Sequence, residues 1–225
     1  YFQTYIWKGN KDVILLIHGW ESNAARWKKF LKQLRKTRKT IIAIDAPAHG
    51  LSSGKEFNVP QYAAFIDTLS KKFNPQIIIG HSIGGTASIY YQHHYENKSL
   101  QKMILLGAPS DFKVLLTNYV ALLGLNERVA KFLANYTKQR FGIPIDEFSG
   151  ANFLKSTTLQ GIIAHDVDDT VVSIEEAKKL VASWKTAEFI QTKGLGHSMH
   201  DEYLYKTIID FIEKSGEVFD VIHFF

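Results

Sequence analysis

Ser82 lies in Gly80-His81-Ser82-Ile83-Gly84, the pattern G-x-S-x-G. A serine hydroxyl is a weak nucleophile unless a base takes its proton and a carboxylate orients that base. The pattern supplies the turn that such a nucleophile needs. Glycines flanking the serine let a strand fold sharply into a helix, which lifts the hydroxyl above the sheet edge. The surroundings fit this. Gln76-Ile77-Ile78-Ile79 is an apolar run suited to a buried parallel strand, and Gly85-Thr86-Ala87-Ser88-Ile89-Tyr90-Tyr91 begins with small residues and continues with helical character. The pattern by itself is common, and the strand-turn-helix setting gives it meaning.

A base and an acid follow downstream, each after a strand-like run. Gly194-Leu195-Gly196-His197 follows Ala187–Gln191, and His165-Asp166-Val167-Asp168-Asp169 follows Gly161–Ala164. His197 is chosen from nine histidines because a glycine-flanked loop at a strand end lets its side chain reach across the site. His200 is the fallback. For the acid, Asp169 comes first because Thr170-Val171-Val172 leads from it into a helix. Asp168 is next, and Asp111, beyond the strand Met103–Leu106, is third. The order serine, acid, histidine is one in which such triads occur. The aspartates lack metal-ligand spacing, so neither a metal nor a cofactor is expected. An oxyanion would be met by the backbone N–H of Ile83 and by that of Trp20, in His18-Gly19-Trp20. The Trp20 indole and His81 are read as substrate-binding, with packing as the plainer role for the indole.

Strand-like runs alternate with helical spacing, which argues for a doubly wound, mostly parallel sheet with helices on both faces. Strands are expected at Gln3–Trp7, Val13–Ile17, Thr40–Ile44, Gln76–Ile79, Met103–Leu106, Gly161–Ala164 and Ala187–Gln191. Helices are expected at Ala24–Lys36, Gln61–Phe73, Ile83–Tyr95, Ile174–Trp184 and Asp201–Lys214, with Ser173 and Glu176 forming a capping box before the fourth. From Asp111 to about Lys155 the alternation stops and only helical apolar spacing remains. Residues 111–155 are therefore read as a helical cap inserted into a core of residues 1–110 and 156–225. The apolar tail with Val218, Phe219, Val221, Ile222, Phe224 and Phe225 is read as an extra strand, a groove cover or a self-association surface.

Composition narrows the function classes. The 225 residues, 45% hydrophobic and 22% charged, suit one soluble domain with a sizeable core. With no cysteine, disulfides, thiolate metal sites and a cysteine nucleophile are excluded. The same lack fits a reducing compartment, and a cytoplasmic location is expected. No apolar run approaches the ~20 residues that span a bilayer, so no stable membrane insertion is expected. Targeting is not read from Tyr1-Phe2-Gln3. Much of the excess behind the +5 net charge lies between Lys28 and Lys39. Trp27, Phe30, Leu31 and Leu34 keep helical spacing there, so the run is read as a helix with solvated lysines rather than a nucleic-acid contact.

Four blocks together resemble the α/β-hydrolase fold family, in its small serine hydrolase form with a helical cap. They are Leu16-Ile17-His18-Gly19-Trp20, Asp45-Ala46-Pro47-Ala48-His49-Gly50-Leu51-Ser52, Gly80-His81-Ser82-Ile83-Gly84-Gly85 and Gly194-Leu195-Gly196-His197. The resemblance implies that His18-Gly19 shapes the oxyanion loop. It implies a structural role for Asp45–Ser52, which leaves Asp45 and His49 outside the triad, and a cap where the insertion begins. Two departures stand out: Asp166 occupies the glycine place of the usual His-Gly-x-x-Asp acid loop, and the first antiparallel strands are short or missing. The implied function is hydrolysis of a small-molecule carboxylic ester, with an apolar acyl or alcohol part, through an acyl-enzyme on Ser82. Alternatives are thioester, amide or carbon–carbon cleavage with the same triad, a membrane-surface lipase, and a non-catalytic ligand-binding protein. The serine argues against the family's aspartate-nucleophile chemistries. Substrate identity and oligomeric state are not legible.

Overall fold

The computed structural model describes residues 1–214, apart from the side chains of Asn118, Tyr119 and Leu122. The apolar tail therefore lies outside the described residues. In chain order the elements are β1 (Thr4–Trp7), β2 (Val13–Ile17), α1 (Lys28–Leu34), β3 (Thr40–Ile44), α2 (Val59–Phe73), β4 (Ile77–His81), α3 (Ile83–Tyr95), β5 (Lys102–Leu106), α4 (Phe112–Leu122), α5 (Glu127–Phe141), α6 (Gly150–Leu154), β6 (Gln160–Asp166), α7 (Ile174–Ser183), β7 (Ala187–Thr192) and α8 (Glu202–Glu213).

Every residue of β2, β4 and β5 is buried, as continuous aliphatic runs are when both faces of a parallel sheet are covered. The seven strands stand in the order β1-β3-β2-β4-β5-β6-β7. All neighbours are parallel except β1, which pairs antiparallel with β3 from Thr4 opposite Ile44 to Trp7 opposite Ile41. Alternate side chains feed two cores. Leu15, Ile17, Ile78, Leu105 and Ile163 pack with residues of α2, α3, α6 and α7. Ile14, Leu16, Ile79, Ile104 and Ile162 pack on the other face with residues of α1 and α8.

Chain direction across the sheet reverses between β2 and β4: β3 lies to one side of β2, and β4, β5, β6 and β7 to the other. The crevice beyond the carboxyl ends of strands at such a reversal is where open α/β sheets bind ligands. Ser82 leaves β4 and His18-Gly19-Trp20 leaves β2 at that place. α3 reaches the sheet closely through small residues. A Cβ on Gly84 would lie 2.3 Å from the His18 carbonyl oxygen, so only glycine fits.

Two local expectations are corrected. The helix expected over Ala24–Lys36 is a 3₁₀ turn at Ala24–Trp27, α1, and a second 3₁₀ turn at Arg35–Thr37. It ends early because the Thr37 hydroxyl donates to the Leu34 carbonyl at 2.7 Å and Arg38 turns left-handed at φ 57°. Trp27, Phe30 and Leu34 are buried and Lys28, Lys29 and Lys32 exposed, the packing expected of the basic run. Ser173 does cap α7, but its hydroxyl accepts from Glu175 N–H and no capping box forms. Glu176 is buried and turned inward, where it accepts from the N–H groups of Ser110 and Asp111 at 3.1 and 2.8 Å.

That contact marks the base of the stretch expected to form a cap. Asp111 and Ser149 meet in an isolated antiparallel bridge, and Gly150 N–H donates to the Ser110 carbonyl at 2.8 Å. The chain thus leaves through α4 and α5 and returns to the same point. Beyond it, α6 packs on α3 and α7. No helix among the described residues is long and apolar enough to cross a membrane.

Candidate active site

β4 ends at His81 and α3 starts at Ile83, which leaves Ser82 alone to make the turn. It does so at φ 54° and ψ −132°, a region that costs a side-chain-bearing residue on the order of 1–3 kcal/mol. The conformation is held by Ser82 N–H donating to the Leu106 carbonyl at 2.9 Å and by Gly85 N–H donating to the Ser82 carbonyl at 2.8 Å. Ile83 opens α3, so its N–H is among those the helix itself leaves without an acceptor.

The loop after β2 closes against this turn. A Cβ on Gly19 would stand 2.8 Å from the Ser82 Cβ, so a glycine is needed to bring the backbone before Trp20 beside the nucleophile. His18 fixes the loop from within the core. Its Nε2 accepts from Ala46 N–H at 2.9 Å, which puts the proton on Nδ1, and Nδ1 donates to the Gly19 carbonyl at 2.7 Å. Burial brings its pKa down to about 4, so it stays neutral near pH 7. Asp45 braces the same region. Its carboxylate accepts from Ala24 N–H at 2.8 Å, Leu51 N–H at 2.9 Å and the Tyr5 hydroxyl at 3.1 Å. The Trp20 indole is half exposed and packs edge-on against Phe57 and His49, with centroids 5.2 and 5.8 Å apart.

β6 and β7 carry the acid and the base. His197 Nδ1 lies 2.7 Å from Asp169 Oδ2, with the imidazole 20% exposed and the carboxylate fully buried. The other oxygen, Oδ1, accepts from Val171 N–H at 2.8 Å and Val172 N–H at 2.9 Å. Burial alone would raise the pKa of Asp169. The hydrogen bonds from His197, Val172 and Val171, with the attraction of His197, outweigh it and hold the carboxyl below its usual range. Asp169 is therefore a carboxylate near neutral pH, aimed at the nitrogen of His197 that must carry a proton.

The other expected residues fall elsewhere. Asp168 is exposed and accepts from Gly194 N–H at 3.1 Å. Asp111 sits at the base of the α4–α5 stretch, bound to Ser149 Oγ at 2.6 Å and Lys179 Nζ at 2.8 Å. His200 turns its Nδ1 to the Tyr205 hydroxyl. His81, expected to bind substrate, is buried; its Nε2–H donates to the His197 carbonyl at 2.8 Å, and the two imidazole centroids are 4.8 Å apart. Arg26, in the turn before α1, was not singled out from the sequence, yet its Nη2 donates to the Ser198 carbonyl at 2.8 Å. Nothing local signals that contact, which joins residues 172 positions apart. Among the described residues, no group of three His, Asp or Glu side chains is placed to hold a metal ion.

This arrangement can be set beside known proteins. A model of the alpha/beta hydrolase fold family matches residues 12–194. The chain belongs to the alpha/beta hydrolase fold family. It is 30% identical over 103 residues to a Haemophilus influenzae protein named for 2-succinyl-6-hydroxy-2,4-cyclohexadiene-1-carboxylate synthase activity, over 42% of this chain and 40% of that protein. It is 25% identical over 114 residues to a monoacylglycerol lipase of Mycolicibacterium smegmatis, over 45% of this chain and 40% of the lipase. The matches thus span about two fifths of the length of these curated relatives. Among solved structures, an esterase from Exiguobacterium antarcticum superposes with a TM-score of 0.73 at 17% identity, covering 95% of this chain and 96% of the esterase. At that identity the likeness is one of fold.

Proposed function

We propose that the chain is a serine hydrolase of carboxylic esters. The observation that carries this reading is the 2.7 Å pairing of His197 with a buried, ionised Asp169, the His197 ring lying 4.8 Å from that of His81, the residue before Ser82. In the proposed cycle, Ser82 Oγ attacks the ester carbonyl carbon while His197 Nε2 takes its proton. Asp169 holds Nδ1–H and stabilises the imidazolium. The carbonyl oxygen, now negative, is met by the N–H groups of Ile83 and Trp20. His197 returns the proton to the departing alcohol, leaving Ser82 acylated. Water, deprotonated by the same histidine, then attacks the acyl carbon and releases the acid and the free serine.

An apolar substrate part is supported by the half-exposed Trp20 and by Leu123, Leu125, Phe132 and Tyr136 of the α4–α5 stretch, which expose large apolar side chains. We read that stretch as a lid over the pocket. Hydrolysis of a p-nitrophenyl ester series of rising acyl length tests the proposal. The expected result is a burst of nitrophenol followed by steady turnover, with purified Ser82→Ala slower by about 10⁴-fold or more. Wild-type rates in folded Ser82→Ala would end it. A thioester, an amide and a vinylogous diketone in the same panel separate ester cleavage from the other bonds this machinery can break.

A further inference from the structure

The loop that carries His197 has little structure of its own. Gly194 and Gly196 take φ of 82° and 57°, Met199 takes 53°, and only a short 3₁₀ turn spans Gly196–Ser198. Glycine-rich backbone of this kind loses the most freedom when it is ordered. A general base must nevertheless be held within about 0.5 Å of its working position. The Asp169 hydrogen bond orients the ring, but it does not fix the backbone from which the ring hangs.

Three side chains distant in sequence grip that backbone. On one side, Asp166 Oδ2 accepts from Leu195 N–H at 3.0 Å and from Thr192 Oγ1 at 2.7 Å, and Oδ1 accepts from Asp168 N–H at 3.0 Å. Burial would raise the Asp166 pKa, but hydrogen bonds from Thr192, Leu195, Asp168 and Gly196 hold it down, so it grips as a carboxylate. On the other side, the His197 carbonyl accepts from His81 Nε2 at 2.8 Å and the Ser198 carbonyl from Arg26 Nη2 at 2.8 Å. The peptide N–H groups thus face a carboxylate and the carbonyls face cationic or neutral donors, an orientation that suits the peptide dipoles.

Arg26 lies over the ring of buried Trp27, 5.0 Å from its centroid, and forms no ion pair with a carboxylate among the described residues. Its buried Nε has no partner, and burial lowers its pKa to about 10. What it does hold is the residue after the base.

We propose that Asp166, His81 and Arg26 are positioning residues that clamp the backbone of residues 195–198 and so deliver the His197 imidazole to Ser82. The inference rests on the serine-hydrolase reading. The test uses Asp166→Ala, Arg26→Met and His81→Leu against the donor-keeping Arg26→Lys and His81→Gln. Expected is a kcat lower by about 10- to 100-fold with KM little changed, a parallel fall in fluorophosphonate labelling of Ser82, and recovery of most of the loss in the two conservative variants. Arg26→Met and Asp166→Ala combined should cost less than the product of their separate effects, because both act on one loop.

A readout that needs no turnover is the downfield proton resonance of His197 Nδ1–H. It should be sharp in the wild-type protein and broadened or lost in the clamp variants. Variants that fold, keep that resonance and keep wild-type kcat would overturn the clamp even if their melting points drop. Should Asp166→Ala fail to fold, Arg26→Met, at a partly exposed position, decides alone. Absence of Ser82 labelling in wild type, with the resonance still responding to the variants, would remove the serine-hydrolase reading and leave the clamp.

Discussion

Replacing Asp169 with asparagine probes the proposed acid with almost no change of shape. Asp169 Oδ1 accepts two backbone N–H groups, from Val171 at 2.8 Å and Val172 at 2.9 Å. An asparagine must keep its single oxygen there, since an NH2 group at those distances would face two donors. Its NH2 then takes the place of Oδ2, 2.7 Å from His197 Nδ1. A donor at that point leaves Nδ1 as acceptor and moves the imidazole proton to Nε2, the atom that has to take the Ser82 proton. The base is present but in the wrong tautomer. Such a change lowers turnover by roughly 10⁴-fold, about 5.4 kcal/mol in the barrier. The assay is kcat/KM for a soluble p-nitrophenyl ester, with circular dichroism and thermal unfolding to show that the variant folds. Asp168→Asn serves as the comparison, because Asp168 is exposed and its carboxylate accepts from the Gly194 N–H rather than facing His197. It should stay within a few-fold of wild type. An Asp169→Asn loss under tenfold, or an equal loss in Asp168→Asn, would refute the reasoning.

Three further expectations follow from other parts of the structure. Gly19→Ala places a methyl 2.8 Å from the Ser82 Cβ and 3.2 Å from His81, so the loop must retreat from the nucleophile; kcat should drop by about 10²- to 10³-fold, as when one oxyanion donor is lost, and unaltered kcat in the folded variant would contradict it. His18, lowered from 6.5 to about 4 by burial, makes the unfolded chain bind more protons than the folded one between those values. Stability is therefore full above pH 6.5 and falls by on the order of 3 kcal/mol as pH drops to 4; urea unfolding against pH should show this fall in wild type and a shallower one in His18→Gln. Lys102 is buried, and its ammonium donates to the carbonyls of Phe211 at 2.7 Å, Ile212 at 3.1 Å and Lys214 at 2.6 Å, closing the end of α8; Lys102→Met should cost about 2–4 kcal/mol in urea unfolding while leaving kcat unchanged.

Much of the sheet was legible because its information is local. Val-Ile-Leu-Leu-Ile at Val13–Ile17 is fully buried because helices cover both faces, and an unbroken aliphatic run is what such a strand requires. The turn at Ser82 was legible for the same reason, since glycines, strand and helix adjoin in the chain. The pairing of His197 with Asp169 was reached through position at strand ends, and the structure brings these two together. What escaped the sequence depends on partners far along the chain. Glu176 has the spacing of a capping residue, yet two N–H groups at Ser110 and Asp111 claim its carboxylate. His81 bonds to the His197 carbonyl 116 positions away, which no local pattern announces. Arg26 stands just before the basic run, and its bond to the Ser198 carbonyl has no local signal. The early end of α1 turns on one hydroxyl, that of Thr37, bonding back to Leu34.

The central claim is that Ser82 is an activated nucleophile, and covalent labelling tests it most directly. Native protein is treated with a fluorophosphonate, digested and mapped by mass spectrometry, with Ser82→Ala and Asp169→Asn alongside. The account predicts one phosphonylated residue, Ser82, in wild type, none in Ser82→Ala, and labelling in Asp169→Asn slowed in proportion to its kcat/KM. Folded wild-type protein that hydrolyses esters without an adduct on Ser82, or that is labelled equally in Ser82→Ala, would contradict it.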